Sequence, residues 1–184
     1  GEYQTALDAL SSLTDYPAAE EAISECRYQL AMQAEADGRY ARAYAEYTDL
    51  GEYKDCADKA ARFENEYAAA TALLAEGEYD NAKSAFEALK DYADAEKMAK
   101  ESVYQKGEKL LADKDYDGAI AAYQAAGNYS DAATKAKEAQ YQKGESLFAT
   151  GDYDGAIAAY QAAGNYSDAV TKAKEAQYQK GESQ

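Results

Sequence analysis

Apolar residues recur with helical spacing in short segments along the whole chain. In one clear segment, apolar side chains occupy positions i, i+3, i+4 and i+7, which form one face of an α-helix. These residues are Tyr153, Ala156, Ile157 and Tyr160. Gly164 and Asn165 then interrupt the pattern. The spacing predicts a short helix over about residues 152–163.

Longer segments alternate with the short ones. A long helix is predicted to begin near Tyr166, and in the copy before it apolar and small residues recur every three to five positions over about 20 residues. That stripe consists of Ala132, Ala136, Ala139 or Gln140, Gly144 and Leu147. Gly151 then ends the helix, as glycines do at helix C-termini. Alternating apolar runs typical of strands are missing, so the chain is predicted to be all-α.

The two kinds of segment form a unit that repeats. Residues 104–140 and 141–177 agree at 32 of 37 positions. One tyrosine marks the short helix of every unit: Tyr3, Tyr40, Tyr79, Tyr116 and Tyr153. A period of roughly 20 to 50 residues is typical of a solenoid, whose units stack because one unit cannot bury its apolar face alone.

This pattern predicts an α/α solenoid of stacked helix pairs that forms one domain over residues 1–184. The units start near residues 1, 38, 77, 114 and 151. We expect about ten helices plus a truncated last one, with the five marker tyrosines inside a core rich in alanine and tyrosine.

A second marker, Tyr-x-Asp followed by Ala or Cys, precedes the long helix in four units. Its aspartates are Asp55, Asp94, Asp131 and Asp168. A carboxylate at this point stabilises the positive end of the helix dipole, so the predicted role of these residues is helix initiation. The first unit has the variant Tyr16-Pro17-Ala18-Ala19, and proline is favoured in a first helical turn.

One unit is irregular. The distance from Tyr53 to Tyr67 is 14 residues, whereas the equivalent pairs in the other units are 12 residues apart. Two residues have therefore been inserted around Phe63 to Glu66. Since two residues rotate a helix face by about 200°, this long helix is expected to be longer than the others and to contain a π-bulge, a kink or a changed register.

The segment from Tyr141 to Ala163 resembles a tetratricopeptide unit. An aromatic residue is followed by Gly144, Leu147, Gly151 and Tyr153 and then by Ala, aromatic and Ala positions, in the order of that repeat. The period is 37 residues instead of 34, and the proline that usually follows the second helix is absent, so the chain resembles a divergent branch of the family. The resemblance implies a right-handed superhelix of antiparallel helix pairs and a role in protein binding.

The net charge of −16 disfavours several classes of partner. Binding to nucleic acid or to an anionic membrane depends on clustered Lys and Arg, and no apolar run is long enough to cross a membrane. The charge is uneven: residues 1–103 contain 23 acidic and 10 basic groups, and residues 104–184 contain 12 and 9. We expect a protein or peptide partner, no nucleic acid and no membrane insertion.

Candidate catalytic, cofactor and metal sites find little support. Without any histidine, the commonest general base and the usual nucleophilic triads are missing, so no enzyme is expected. Cys26 and Cys56 lack the spacing of a zinc site. Because they are expected at different heights on successive long helices, they are too far apart to form a disulfide and are predicted to be free thiols in the core. Asp115 and Asp152 begin short calcium-like motifs, but later calcium ligands are missing and a helix start also favours Asp.

Two sets of side chains are candidates for a binding surface. Tyr104, Tyr141 and Tyr178, together with Tyr44, lie on helices where they serve either a binding surface or the core. A ladder of lysines on the last long helices is either part of the same surface or a solvated face. It consists of Lys135, Lys137, Lys143, Lys172, Lys174 and Lys180.

Two functions follow from this pattern. The first is a non-catalytic scaffold that binds a protein along the surface of the long helices. The alternative is a structural subunit that stacks head to tail into a filament, because the sequence begins at a short helix and ends within a long one, as a fragment of a longer array would. The residues expected at such contacts are Ala6, Leu7, Leu10, Tyr166, Ala169, Ala173 and Tyr178. The cellular location stays open.

Overall fold

The computed structural model describes residues 1–13 and 16–183, and in that part of the chain it contains ten helices and no strand. Helices α1 to α10 span Glu2–Leu10, Pro17–Ala36, Tyr40–Leu50, Cys56–Ala75, Tyr79–Ala88, Ala95–Ala112, Tyr116–Ala126, Ala132–Ala149, Tyr153–Ala163 and Ala169–Glu182. The all-α prediction is confirmed. The truncated last helix is the tenth, α10, so the expectation of an eleventh was wrong.

The chain divides into two compact units, Gly1–Ala99 and Lys100–Gln184. Within the first unit, each helix from α1 to α5 packs against the next. Within the second, α7 to α10 do the same. Each unit is thus a stack of alternating short and long helices, as an α-solenoid of helix pairs requires.

The core of each unit is built from two positions of the short helix. The alanine three residues after each marker tyrosine is fully buried in α3, α5, α7 and α9. Four residues further on lies a buried aromatic ring: Tyr47, Phe86, Tyr123 or Tyr160. The marker tyrosines themselves are half-buried in those four helices, and Tyr3 is 45% exposed. The predicted core position of the markers was therefore too deep.

Small residues on the long helices make room for these rings. A Cβ atom on Gly107 would lie 2.8 Å from the ring of Tyr123, and one on Gly144 would lie 2.7 Å from the ring of Tyr160. Real Cβ atoms do not approach other atoms so closely, so these rings pack directly on helix backbone. In α2 and α4 the same register position is a fully buried alanine, Ala31 or Ala70.

The turn between long and short helix adopts a left-handed backbone conformation. Gly38, Gly77 and Gly151 have φ angles of 74°, 78° and 81°. Glycine adopts this conformation without steric cost, which confirms that glycine ends the long helices. In the fourth unit Lys114 takes the same role with a φ of 64°, although its Cβ makes this conformation unfavourable.

A second left-handed residue precedes the long helix. Lys54, Ala93, Ser130 and Ser167 have φ angles between 49° and 52°. Consequently α10 begins at Ala169, not near Tyr166. Proline cannot adopt a positive φ, so the first unit has a different start: α2 begins at Pro17, as predicted for proline in a first turn.

The irregular helix α4 is a continuous α-helix of 20 residues, two more than α6 and α8 but the same length as α2, so the expectation that it is longer than all the other long helices was wrong. It contains no π-helical segment, so the predicted π-bulge is absent from this helix. The extra residues instead give the buried residues of this helix a regular helical spacing. Phe63 and Ala70 are separated by seven positions, whereas the equivalent Ala139 and Gly144 are separated by five, and a separation of seven is close to two helical turns. Both Phe63 and Ala70 are therefore fully buried in an uninterrupted helix.

The neighbours of Phe63 show how the first unit accommodates this change. The ring of Phe63 stacks on Tyr92 at a centroid distance of 5.4 Å and also contacts Tyr40 at 5.3 Å. Asp91, beside Tyr92, accepts hydrogen bonds from the backbone N–H groups of Tyr40 at 2.6 Å and Ala41 at 3.1 Å. The connection after α5 thus caps the start of α3, two helices earlier in the chain.

Replacing Lys114 by glycine is expected to stabilise the protein. Lys114→Gly removes the steric cost of a left-handed lysine, although glycine also gains freedom in the unfolded chain, so the free energy of unfolding should rise by about 1 kcal/mol. The reverse change in the next copy, Gly151→Lys, should lower it by a similar amount. Urea unfolding followed by circular dichroism measures both, and a stabilising Gly151→Lys would contradict this account.

Candidate functional site

A hydrogen bond between a tyrosine and an aspartate joins successive long helices. The hydroxyl of Tyr28 donates to Asp55 Oδ1 at 2.7 Å, Tyr104 to Asp131 at 2.6 Å and Tyr141 to Asp168 at 2.7 Å. Tyr67 donates to Asp94 in the same way. The two partners are 27 residues apart in every case, and we call this contact the tyrosine–aspartate bridge.

The bridge changes the interpretation of the aspartates. Asp55, Asp131 and Asp168 do occupy the N-cap positions of α4, α8 and α10, as predicted, but their side chains do not cap the helix backbone. Their carboxylates accept the tyrosine hydroxyl instead. Helix initiation is therefore only part of their role, because each also ties one long helix to the next.

The bridge also shifts the pKa values of both partners. The hydrogen bond to Asp131 raises the pKa of Tyr104 to about 12, and the bond to Asp168 raises the pKa of Tyr141 to about 12. The same bonds lower the pKa values of Asp131 and Asp168. A neutral hydroxyl beside a charged carboxylate is thus the favoured state of each bridge.

Most of the tyrosines considered for binding are involved in packing. Tyr104 and Tyr141 are half-buried, and their rings lie 5.6 Å from Tyr123 and 5.7 Å from Tyr160. Tyr44 donates its hydroxyl to Glu64 and meets Phe63 edge-on. In contrast, Tyr178 is 62% exposed. For Tyr44, Tyr104 and Tyr141 these contacts favour the core alternative.

The lysine ladder lies among acidic side chains of the second unit. Lys143 pairs with Asp117 and Lys180 with Asp154, so each joins a long helix to the preceding short one. Lys135 contacts Glu138 at 3.0 Å, and Lys172 lies 3.6 Å from both Glu145 and Glu175. Lys137 donates to Asn165 at 3.4 Å, and Lys174 is exposed. Ion pairs at a partly exposed surface contribute little stability, but they limit how freely these cations can meet a partner.

The residues expected at contacts between copies differ in accessibility. Ala6, Leu7 and Leu10 of α1 are half-buried. At the other end, Ala169 is fully buried inside the second unit, and Tyr166 and Ala173 pack half-buried against the same core. An inward-facing Ala169 cannot contact another molecule. The exposed candidate at that end is Tyr178.

The cysteines and the short acidic motifs have structural roles. Cys26 and Cys56 are free and buried, as predicted, and burial raises the pKa of the Cys56 thiol. Asp115 accepts from the backbone N–H of Gly118 at 3.0 Å, and Asp152 accepts from Gly155 in the same manner. Both aspartates therefore cap short helices. Across residues 1–13 and 16–183 there is no cluster of three side chains able to hold a metal ion. No helix in these ranges is long and apolar enough to cross a membrane.

A groove in the second unit is lined by apolar, polar and charged side chains. It has a volume of about 390 Å³ and runs along α6, α7 and α8. Its lining consists of Glu108, Leu111, Ala112, Lys114, Tyr116, Tyr123, Lys135 and Gln142, and we call it the Tyr123 groove. Tyr123 is 1% exposed, and its hydroxyl has no hydrogen-bond partner. In the described part of the chain it is the one buried side-chain polar atom without a partner.

The equivalent tyrosines show what Tyr123 lacks. Tyr160 donates its hydroxyl to Glu145, and Tyr47 donates to Glu35 at 2.7 Å. The residue that corresponds to Glu145 in the preceding copy is Glu108, which is exposed and leaves Tyr123 unpaired. Burial raises the pKa of Tyr123, so the hydroxyl stays protonated and available as a donor. Because the local sequences of the two copies are nearly identical, no sequence signal distinguished them.

Comparison with known proteins agrees with the repeat pattern. A family model described as tetratricopeptide repeat matches residues 138–172, which run from the middle of α8 into α10. No curated protein sequence matches the chain. The match and the ten helices together support a tetratricopeptide-like architecture.

The two equivalent tyrosines should respond differently to loss of the hydroxyl. Tyr160→Phe breaks a charge-assisted hydrogen bond to Glu145 and should lower the free energy of unfolding by about 1 kcal/mol. Tyr123→Phe removes an unpaired buried hydroxyl and should be neutral or slightly stabilising. Urea unfolding of the two variants measures the difference. Equal destabilisation would mean that Tyr123 has a partner in solution.

The bridges predict a loss of stability at alkaline pH. A tyrosine has a pKa near 10 when unfolded, and the folded value for Tyr104 and Tyr141 is about 12. Their contribution to stability is therefore complete below pH 10 and is lost as the pH rises towards 12. Absorbance of tyrosinate, recorded beside circular dichroism, should show ionisation accompanied by unfolding. Tyr104→Phe/Tyr141→Phe should flatten this pH dependence, and an unchanged slope would argue against the bridges.

Proposed function

Because the chain is a tetratricopeptide-like helical repeat protein, we propose that it is a non-catalytic scaffold that binds a segment of a partner protein. Tetratricopeptide repeats are typically interaction domains, and stacked helix pairs offer extended surfaces for a peptide or helix. The groove that supports this proposal best is the Tyr123 groove.

The unpaired hydroxyl of Tyr123 is the observation on which the proposal rests. A buried donor without an acceptor is unfavourable, and a bound segment that displaces the side chains covering this hydroxyl and supplies an acceptor removes this cost. Backbone carbonyls and side-chain oxygens of a protein segment are suitable acceptors. In the next copy the equivalent hydroxyl of Tyr160 donates to the carboxylate of Glu145, so a carboxylate is one suitable acceptor for a tyrosine at this position.

The rest of the groove fits a protein segment with mixed polarity. Leu111 and Tyr116 provide apolar surface, and Gln142 provides both a donor and an acceptor. Lys135 and Glu108 place opposite charges along the groove, so it does not favour a strongly charged polymer of either sign. These features support a protein or peptide partner over nucleic acid, as does the net charge of −16.

A non-catalytic role is consistent with the ionisable groups. Histidine is missing from the sequence. Nucleophiles are activated by a neighbouring base or a lowered pKa, but the pKa values of Tyr123 and Cys56 are raised by burial. Neither side chain is therefore activated as a nucleophile.

A random peptide display library tests the proposal. Peptides selected on the unmodified chain should bind Tyr123→Phe roughly fivefold to tenfold more weakly, because one hydrogen bond is lost. Lys135→Ala should weaken binding as well. Lys172→Ala, the same change in the next copy, is the matched control and should leave the affinity unchanged. Fluorescence anisotropy with labelled peptides measures all four proteins.

Two outcomes would overturn the assignment of the groove. One is the failure of any selected peptide to bind the unmodified chain in solution. The other is equal loss of affinity in Lys135→Ala and Lys172→Ala, which would place the binding surface elsewhere. Far-ultraviolet circular dichroism of each variant shows whether the helices are intact.

A further inference from the structure

The two nearly identical copies in the second unit differ mainly at one place. Of the five positions at which residues 104–140 and 141–177 disagree, four lie at the end of α6 and in the turn after it. They are Lys109, Leu111, Asp113 and Lys114, which replace Ser146, Phe148, Thr150 and Gly151. Two of the four, Leu111 and Lys114, line the Tyr123 groove. The differences between the copies are therefore concentrated beside this groove.

Lys114 has a backbone conformation that glycine adopts in other repeats. Its φ angle is 64°, and Gly38, Gly77 and Gly151 have φ angles between 74° and 81° at the equivalent turn. A lysine at such an angle is strained, because its Cβ crowds the backbone. Residues kept in strained conformations are concentrated at binding and catalytic sites. A favourable contact of the Lys114 side chain is the expected compensation.

Two other lysines with positive φ angles have partners within the chain. Lys54 forms an ion pair with Glu25. The ammonium group of Lys90 lies 5.0 Å from the ring centroid of Tyr40. Lys114 is exposed, and in the described part of the chain its ammonium group forms no ion pair and lies over no aromatic ring. No such contact within the described residues therefore offsets its backbone strain.

The change from phenylalanine to leucine leaves space in the same groove. In the next copy the ring of Phe148 packs edge-on against Tyr153 at a centroid distance of 5.5 Å. The equivalent residues, Leu111 and Tyr116, both line the Tyr123 groove. Leucine is smaller than phenylalanine and has no ring to stack on the tyrosine. A bound segment can therefore use apolar surface that Phe148 covers in the next copy.

Lys114 is also the lysine of the groove that has no counter-ion. Lys135, which lines the groove as well, lies 3.0 Å from Glu138. The carboxylate of Glu108 is part of the same groove, but among the described residues it forms no ion pair with Lys114. Complementary charge across an interface favours the correct partner. An unpaired cation in this groove therefore favours an anionic group on the bound segment.

We propose that Lys114 selects a partner segment with an acidic side chain, whose carboxylate pairs with the Lys114 ammonium group in the Tyr123 groove. This inference rests on the proposed function, because it concerns the segment bound in that groove. A side chain fits better than a free C-terminus, since Glu145 supplies a side-chain carboxylate to the equivalent tyrosine of the next copy. One segment then provides partners for two groups that lack them in the unbound chain, Lys114 and the hydroxyl of Tyr123.

The charge of the whole chain opposes this selectivity, which makes it informative. A net charge of −16 repels acidic peptides in general, and Glu108 adds to the repulsion within the groove. A preference for an acidic residue therefore requires a local cation. We expect one acidic position in each bound segment, because the groove has one lysine without a counter-ion.

A double-mutant cycle between chain and peptide tests the proposal. Peptides selected on the unmodified chain from a random display library should have Asp or Glu at one fixed position. Changing that residue to Asn or Gln in a labelled peptide should weaken binding about tenfold, as expected for a contact between charged groups. Lys114→Met should remove the difference between the two peptides, because it deletes the cation. Fluorescence anisotropy measures the four combinations.

Lys109→Met is the matched control. Lys109 lies five residues earlier, forms an ion pair with Asp113 and does not line the groove. The variant therefore loses the same charge but keeps the proposed contact. It should distinguish the acidic from the neutral peptide as well as the unmodified chain does. Amidation of the peptide C-terminus should leave the affinity unchanged, because the anion is a side chain.

Lys114→Gly separates binding from folding. It removes the strain of a left-handed lysine and should raise the free energy of unfolding, yet it should also remove the tenfold preference for the acidic peptide. Unfolding cannot explain a loss of binding in a more stable protein. Urea unfolding and fluorescence anisotropy of this variant measure the two effects.

Four results would overturn the inference. They are selected peptides without a fixed acidic position, a tenfold preference that survives Lys114→Met, a preference lost in Lys109→Met, and a loss of affinity on amidation. In each case the peptides still bind, and a weaker affinity of Tyr123→Phe would keep the groove as the binding site. The proposed function then stands while this inference fails. Failure of every peptide to bind would overturn both.

Discussion

The contact between an aromatic ring of a short helix and a small residue of a long helix is the constraint on which the stack depends. Tyr123 on Gly107 and Tyr160 on Gly144 pack so closely that no side chain fits between them. Interiors are packed to crystal-like density, and these contacts set how near two helices can lie. The hydrogen bonds and ion pairs around them require this spacing, because tyrosine hydroxyls and carboxylates must meet across neighbouring helices.

The general architecture could be predicted from the sequence because it depends on periodicity. The spacing of Tyr153, Ala156, Ile157 and Tyr160 placed a helix where α9 lies, and Gly151 marked the end of the helix before it. The irregular α4 was harder. Adding two residues to a broken stripe was expected to disturb the helix, but it regularised the stripe, since the missing information was which residues face the core.

Few features of the candidate site could be predicted from the sequence. The tyrosines and aspartates of the bridges were both recognised as repeating, yet their pairing depends on which helices are neighbours in space. The difference between Tyr123 and Tyr160 was less accessible still, because Gly107-Glu108 and Gly144-Glu145 are the same dipeptide. Only the orientation of one carboxylate leaves the hydroxyl of Tyr123 unpaired. The dipeptide is identical in the two copies, so it cannot indicate which direction an exposed glutamate side chain takes.

The 27-residue separation of the tyrosine–aspartate bridge bears on how such a chain lengthens by gene duplication. Each repeat of 37 residues contributes one hydroxyl donor to the repeat that follows it and one carboxylate acceptor to the repeat before it. A tandem copy inserted at any boundary between repeats therefore brings both its hydroxyl donor and its carboxylate acceptor. The tyrosine–aspartate bridges to the repeats before and after it can then form without further change. No compensating substitution is needed. The near identity of residues 104–140 and 141–177 is what such an insertion leaves behind.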